Sequence, residues 1–197
     1  MSVIVSVFGS NDPLPGSADY EAARELGERL ARLGITVQTG GYRGIMEAAS
    51  RGASEAGGHV IGVTCTQIES FRPIGPNAWV KEEIRKPTLR ERLFHLVLCC
   101  DGIVVMPGGI GTLSELALAW SFAQVGEMPP KPIIPLGGLW QRTLSAFIDR
   151  AYIRPEHAAL LTLVKTPAEA ARVLQARLHD QLEELTHTYG RKDHPTQ

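Results

Sequence analysis

Short apolar, β-branched runs alternate along the chain with stretches whose apolar residues recur every three or four positions. This alternation predicts an α/β fold, an open parallel sheet with helices on both faces. Val3 to Phe8 reads as a buried strand that runs into the small-residue loop Gly9-Ser10-Asn11-Asp12-Pro13. From about Asp19, the residues Tyr20, Ala23, Leu26, Leu30 and Leu33 share one face of a helix that Gly34 ends. Ile35 to Gln38 is a second strand. Gly40-Gly41-Tyr42-Arg43-Gly44 then leads into a helix from Ile45 to about Ala56, closed by Gly57-Gly58. His59 to Thr64 makes strand three.

The stretch from Cys65 to Lys86 carries Pro73 and Pro76 and little periodicity, so it is expected to be a long connection that folds over a ligand. Thr88-Leu89-Arg90-Glu91 has the form of a capping box and opens a helix with Leu93, Phe94, Val97 and Leu98. Gly102 to Met106 is strand four. After the turn Pro107 to Thr112, a second capping-box pattern, Thr112-Leu113-Ser114-Glu115, starts a helix through Leu116, Ala119, Trp120 and Ala123. Ile133 to Leu136 is strand five, followed by a helix from about Leu139 to Tyr152 and a short strand at Leu161 to Val164. A last helix runs from Pro167 to about Leu185, with Thr166 as its N-cap. No repeat or linker interrupts this order, which predicts one Rossmann-like domain over residues 1–189 and a frayed polar tail over 190–197.

Composition narrows the function. Twenty basic and twenty-one acidic side chains give a net charge of -1, too balanced for a protein that neutralises a nucleic-acid backbone. No apolar run approaches the ~18 residues of a membrane span, and Met1 to Ile4 lacks a basic leader, so a cytoplasmic protein is expected. The three cysteines suit neither a disulfide framework nor paired metal-ligand spacing; Cys99 and Cys100 read as small core residues. The six histidines are scattered, and neither a metal nor a cofactor is expected.

The chemistry is concentrated in three glycine-rich turns: Gly9-Ser10, Gly40-Gly41, and Pro107-Gly108-Gly109-Ile110-Gly111-Thr112. In a parallel sheet such turns meet at the carboxyl edge, where ligands bind at a switch point. Glycine lets backbone N–H groups approach a phosphate, and each following helix aims its positive end at the same place. Neither a dinucleotide G-x-G-x-x-G after strand one nor a P-loop is present, which argues against a dehydrogenase and an NTPase.

The run PGGIGTLSE from Pro107 to Glu115 resembles the P-G-G-x-G-T-x-x-E motif of the LOG (Lonely Guy) family. Phe8-Gly9-Ser10, Gly40-Gly41 with Gly44-Ile45-Met46, and Gly57 to Val63 support the resemblance, which spans residues 3 to about 136. It implies hydrolysis of the N-glycosidic bond of an adenosine 5'-monophosphate, plain or N6-modified, to free base and ribose 5-phosphate. It implies further that Arg92, from Glu91-Arg92-Leu93, matches the family's catalytic arginine, and that the protein forms a homodimer. The family's following lysine is absent here. Tyr42 and Glu47 replace small residues of the family pattern, and Gly137 stands where an asparagine often follows strand five.

Breaking that bond leaves an oxocarbenium-like ribose, so a carboxylate beside the anomeric carbon stabilises the charge and activates water. Glu115 is the candidate, although as third residue of a capping box it has a purely structural alternative. Arg92 would hold phosphate or orient Glu115 and the base through its planar fork of donors; its alternative is a local pairing with Glu91 or Asp101. The amides of Gly108, Gly109, Gly111 and Thr112 would cradle the phosphate, with Arg90 as a lesser candidate for a phosphate partner. Trp120 and Phe122 either stack a base or pack a core or subunit contact. The rival class is a phosphate-binding carrier of the molybdenum-cofactor type, which needs the cradle but not the acid. An amino-acid decarboxylase is excluded by the want of a pyridoxal-phosphate motif.

Overall fold

The structure, a computed structural model, describes residues 2–72 and 74–190, with side chains through Leu178. The tail 191–197, where fraying is expected, lies outside the described residues. Among the described residues six parallel strands form one sheet: β1 (Ile4–Phe8), β2 (Thr36–Thr39), β3 (Val60–Cys65), β4 (Glu82–Lys86), β5 (Gly102–Val105) and β6 (Ile133–Pro135), in the order β4-β3-β2-β1-β5-β6. The order reverses direction between β1 and β5, with Val7 opposite Val104 and Phe8 opposite Val105. That is the switch point of a doubly wound Rossmann-like sheet.

The period-two alternation of each strand divides the core. Val5, Val7, Val104 and Met106 face α1 (Ala18–Arg32), α2 (Ile45–Glu55) and α8 (Pro167–Gly190). Phe8, Ile103 and Val105 face α4 (Leu89–Leu98), α5 (Ile110–Val125) and α6 (Gly138–Phe147). The helix boundaries have local causes. Gly34 and Gly57 lie at φ +74° and +81° just past α1 and α2. At α4 the capping box is complete, Thr88 Oγ1 accepting from the Glu91 N–H at 3.3 Å while Glu91 accepts from the Thr88 N–H at 3.1 Å. Thr166 caps α8, accepting from the Glu169 N–H at 3.2 Å.

Several expectations need correction. The segment 65–86 is not an unstructured connection: it holds the short helix α3 (Thr66–Phe71) and the edge strand β4, whose charged Glu-Glu-Ile-Arg-Lys sequence hides its pairing with β3. The helix after the Pro107 turn begins at Ile110 with Gly109 as N-cap, so Thr112 lies inside its first turn and caps nothing. The helix expected to reach Tyr152 ends at Phe147, and a short α7 (Pro155–Ala158) follows. Leu161 and Val164 make only isolated bridges to Ile133 and Leu136, while α8 extends to Gly190.

Candidate functional site

At the carboxyl end of β1 and β5 lies a cavity of about 520 Å³. The backbone that frames it is knotted around Ser10. The Ser10 N–H donates to the Pro107 carbonyl at 3.1 Å, and the Ser10 carbonyl accepts from the Ile45 N–H at 2.9 Å, joining the turns after β1, β2 and β5. Gly44, at φ +66°, brings the chain so close that a Cβ there would sit 2.4 Å from the Ser10 oxygen. Likewise a side chain on Gly108 would meet Thr112 Oγ1 at 2.2 Å.

The predicted residues divide into three groups. Gly9, Ser10, Arg92, Gly109, Gly111, Thr112 and Glu115 line the cavity. Gly40, Gly41, Pro107 and Gly108 do not line it; the three glycines lie where a Cβ would crowd neighbouring atoms. Arg90 is exposed on α4 and does not line the cavity. Trp120 is in the core, its indole N–H donating to the His157 carbonyl at 2.7 Å, and Phe122 packs on Phe94 at 5.8 Å between ring centres. The Cys100 thiol is buried as expected, but Cys99 is exposed.

Arg92 and Glu115 come together, although 23 positions separate them in sequence, because α4 and α5 flank β5 on the same face of the sheet. Arg92 is 6% exposed. Its Nε donates to the Val63 carbonyl at 2.7 Å and its Nη2 to the Gly40 carbonyl at 3.1 Å, leaving Nη1 aimed at Glu115 Oε1, 4.0 Å away. Neither Glu91 nor Asp101 pairs with it; Glu91 serves the α4 cap and Asp101 accepts from the Ile4 N–H. A methyl on Gly40 would lie 1.9 Å from Arg92 Nη2, so this glycine makes room for the guanidinium rather than for a ligand.

Glu115 is 8% exposed on α5, one turn past Thr112 and on the same helical face. Burial pushes its carboxyl up to about 7, with Arg92 pulling in the opposite direction. The capping role is removed by the position of the helix start. What remains is an acid near neutrality in a cavity wall, beside a fixed guanidinium and beyond the first-turn N–H groups of α5. Those groups have no acceptor within the helix and carry its positive end.

Sequence reasoning missed part of the wall: Asp12, Tyr42, Arg43, Met46, Ile68, Arg72 and Ile74. The last three come from the 65–86 segment, which thus contributes to the lining. Among the described residues no cluster of His, Cys, Asp and Glu could hold a metal, and no helix is long and apolar enough to cross a membrane.

Sheet order and cavity together define a Rossmann-like α/β protein with its pocket at the switch point. The model of the SLOG cluster4 family matches residues 2–128. The chain belongs to that family, within the LOG proteins. It is similar to the probable cytokinin riboside 5'-monophosphate phosphoribohydrolase LOGL9 of Oryza sativa subsp. japonica, 33% identical over 146 residues, 71% of this chain and 63% of that protein. The cytokinin riboside 5'-monophosphate phosphoribohydrolase of Mycobacterium tuberculosis is 32% identical over 159 residues, 77% of this chain and 83% of that one. The chain thus spans somewhat less than two thirds of the rice relative's length. Among solved structures, the molybdenum cofactor binding protein of Rippkaea orientalis superimposes with a TM-score of 0.71 at 27% identity, covering 89% of this chain and 97% of that one.

Proposed function

We propose that the protein is a nucleoside 5'-monophosphate phosphoribohydrolase acting on adenosine 5'-monophosphate, plain or N6-modified. Water adds to the anomeric carbon, the C1'–N bond breaks, and the base leaves with the proton that the water gives up. The observation that carries this reading is the buried Glu115–Arg92 pair in the wall of the cavity that also receives the N-terminus of α5. The 5'-phosphate would rest on the N–H groups of Gly109, Gly111 and Thr112, where partial positive charge is already in place. Glu115, one turn further along, would then face the ribose. As a carboxylate it stabilises the positive charge that develops on the sugar and takes a proton from water. Arg92 keeps a positive charge beside it, and its Nη1, which faces Glu115 and holds no backbone carbonyl, is available to a ribose hydroxyl or the phosphate. Met46, Ile68 and Ile74 supply an apolar side for the base. The curated relatives carry the name of this reaction, which supports it.

A second reading, a nucleotide or molybdenum-cofactor carrier, is favoured by the likeness to the Rippkaea protein. One experiment separates them. Incubation with a panel of nucleoside monophosphates, followed by chromatography of free base and ribose 5-phosphate, should show hydrolysis by the parent and a loss of at least ~100-fold in Glu115→Gln. Hydrolysis by that variant at the parental rate would remove Glu115 from the mechanism. Tight nucleotide or pterin binding without product would establish the carrier. We also infer a homodimer, formed through the face where Phe94 and Leu98 of α4 and Leu113 of α5 are 38–40% exposed. A cytoplasmic location suits a nucleotide substrate and three free thiols.

A further inference from the structure

We propose that Tyr42 is a positioning residue for Arg92 and that the 65–86 segment, by holding Tyr42, sets the geometry of the Arg92–Glu115 pair. The proposal rests on reading that pair as the working groups of the site. Two edges of the guanidinium are fixed by the Val63 and Gly40 carbonyls, which leaves its flat face to be supported. Tyr42 supplies that support: the guanidinium carbon lies 5.4 Å from the centre of its ring, within the range of cation–π attraction. Only 4% of Tyr42 is exposed, so the contact is shielded from water.

Tyr42 is itself held at three points by one stretch of chain. The Cys65 N–H donates to its hydroxyl at 2.8 Å, and that hydroxyl lies 3.4 Å from Glu69 Oε1 on α3. Glu69 is in turn clamped by Arg85 of β4, which also pairs with Glu83 at 2.9 Å. Asn77 Nδ2 donates to the carbonyls of both Gly41 and Tyr42, at 3.0 and 2.9 Å. A buried tyrosine whose backbone, hydroxyl and ring face are all engaged is placed rather than merely packed. The line of contacts runs from β4 through Glu69 and Tyr42 to Arg92, which faces Glu115.

The test uses the full chain with Tyr42→Leu, Tyr42→Phe and Glu69→Ala. The Arg92 Nε–Hε NMR signal, read without substrate, should shift or broaden most in Tyr42→Leu, which removes the ring, and by a smaller amount in Tyr42→Phe and Glu69→Ala, which keep the ring but cut its hydroxyl–carboxylate anchor. With nucleoside monophosphate, Tyr42→Leu should lower kcat by about tenfold or more with KM within about twofold, and Tyr42→Phe, which keeps the ring but not its hydroxyl anchor, should fall between Tyr42→Leu and the parent. An Arg92 signal that is the same in the parent, Tyr42→Leu and Glu69→Ala would overturn the proposal. So would a Tyr42→Leu variant with parental kcat. Should Tyr42→Leu not fold, the Glu69→Ala signal decides. If the parent hydrolyses no nucleotide, the functional reading fails, while the substrate-free NMR result still decides this proposal.

Discussion

Glu115 shows what a single side chain costs and supplies. Its ordinary value is 4.5 and burial lifts it to about 7, so the folded protein holds this proton more tightly than the unfolded chain does. The contribution to stability is complete below pH 4.5 and is lost as pH rises through about 7. At 1.4 kcal/mol for each tenfold change in proton affinity, the loss is about 3 kcal/mol. Glutamine mimics the protonated acid. Glu115→Gln should therefore match the parent in thermal unfolding at about pH 4 and exceed it at pH 8, with the gap opening between. An equal gap at both values would show that the carboxyl does not titrate as its burial dictates. Activity should move the opposite way, the parental rate climbing across pH 7 as the carboxylate forms.

This residue is visible in the sequence through its motif, but its structural alternative is misleading there. The pattern Thr112-x-x-Glu115 matches a capping box because side-chain chemistry is all that a pattern records. Gly109 caps the helix instead, three residues earlier, with a backbone geometry that leaves no side-chain signature. Tyr42 stands out in the sequence only as a departure from the family pattern. Its role depends on a contact with Arg92, 50 positions away, which no local spacing encodes.

At the scale of elements, strands flanked on both sides by helices are legible because their apolar runs are dense and their turns carry glycine. β4 is not, since an edge strand meets solvent and reads as charged: Glu82, Glu83, Arg85 and Lys86 surround one apolar residue, Ile84. α3 is a six-residue helix with no buried residue and so no periodic stripe. The turns are legible as ligand-facing, yet their glycines have different tasks. Gly109 and Gly111 open onto the cavity, and a Cβ on either would meet no atom within 4 Å, whereas Gly40 accommodates Arg92. Gly40→Ala should accordingly leave the fold intact and displace the guanidinium, lowering kcat on the order of 100-fold. Circular dichroism together with the nucleotide assay would check this, and a fully active Gly40→Ala would mean that Arg92 tolerates another position.

For the whole molecule, the chain order of strands and helices is sufficient to predict a doubly wound sheet, and the cavity follows from the reversal between β1 and β5. Association is a further matter. If α4 and α5 form the dimer surface, Phe94→Glu with Leu98→Glu should convert a dimer to a monomer in sedimentation at micromolar concentration. A parent that sediments as a monomer at that concentration would dismiss the dimer. The charged outer strand β4 gives this prediction a complement. Its two carboxylates and two cations resist the backbone pairing by which open sheets extend one another into ribbons and fibrils. Growth by β-addition is therefore disfavoured along that border, so a dimer of this chain would form through the ridges and hollows of its helices.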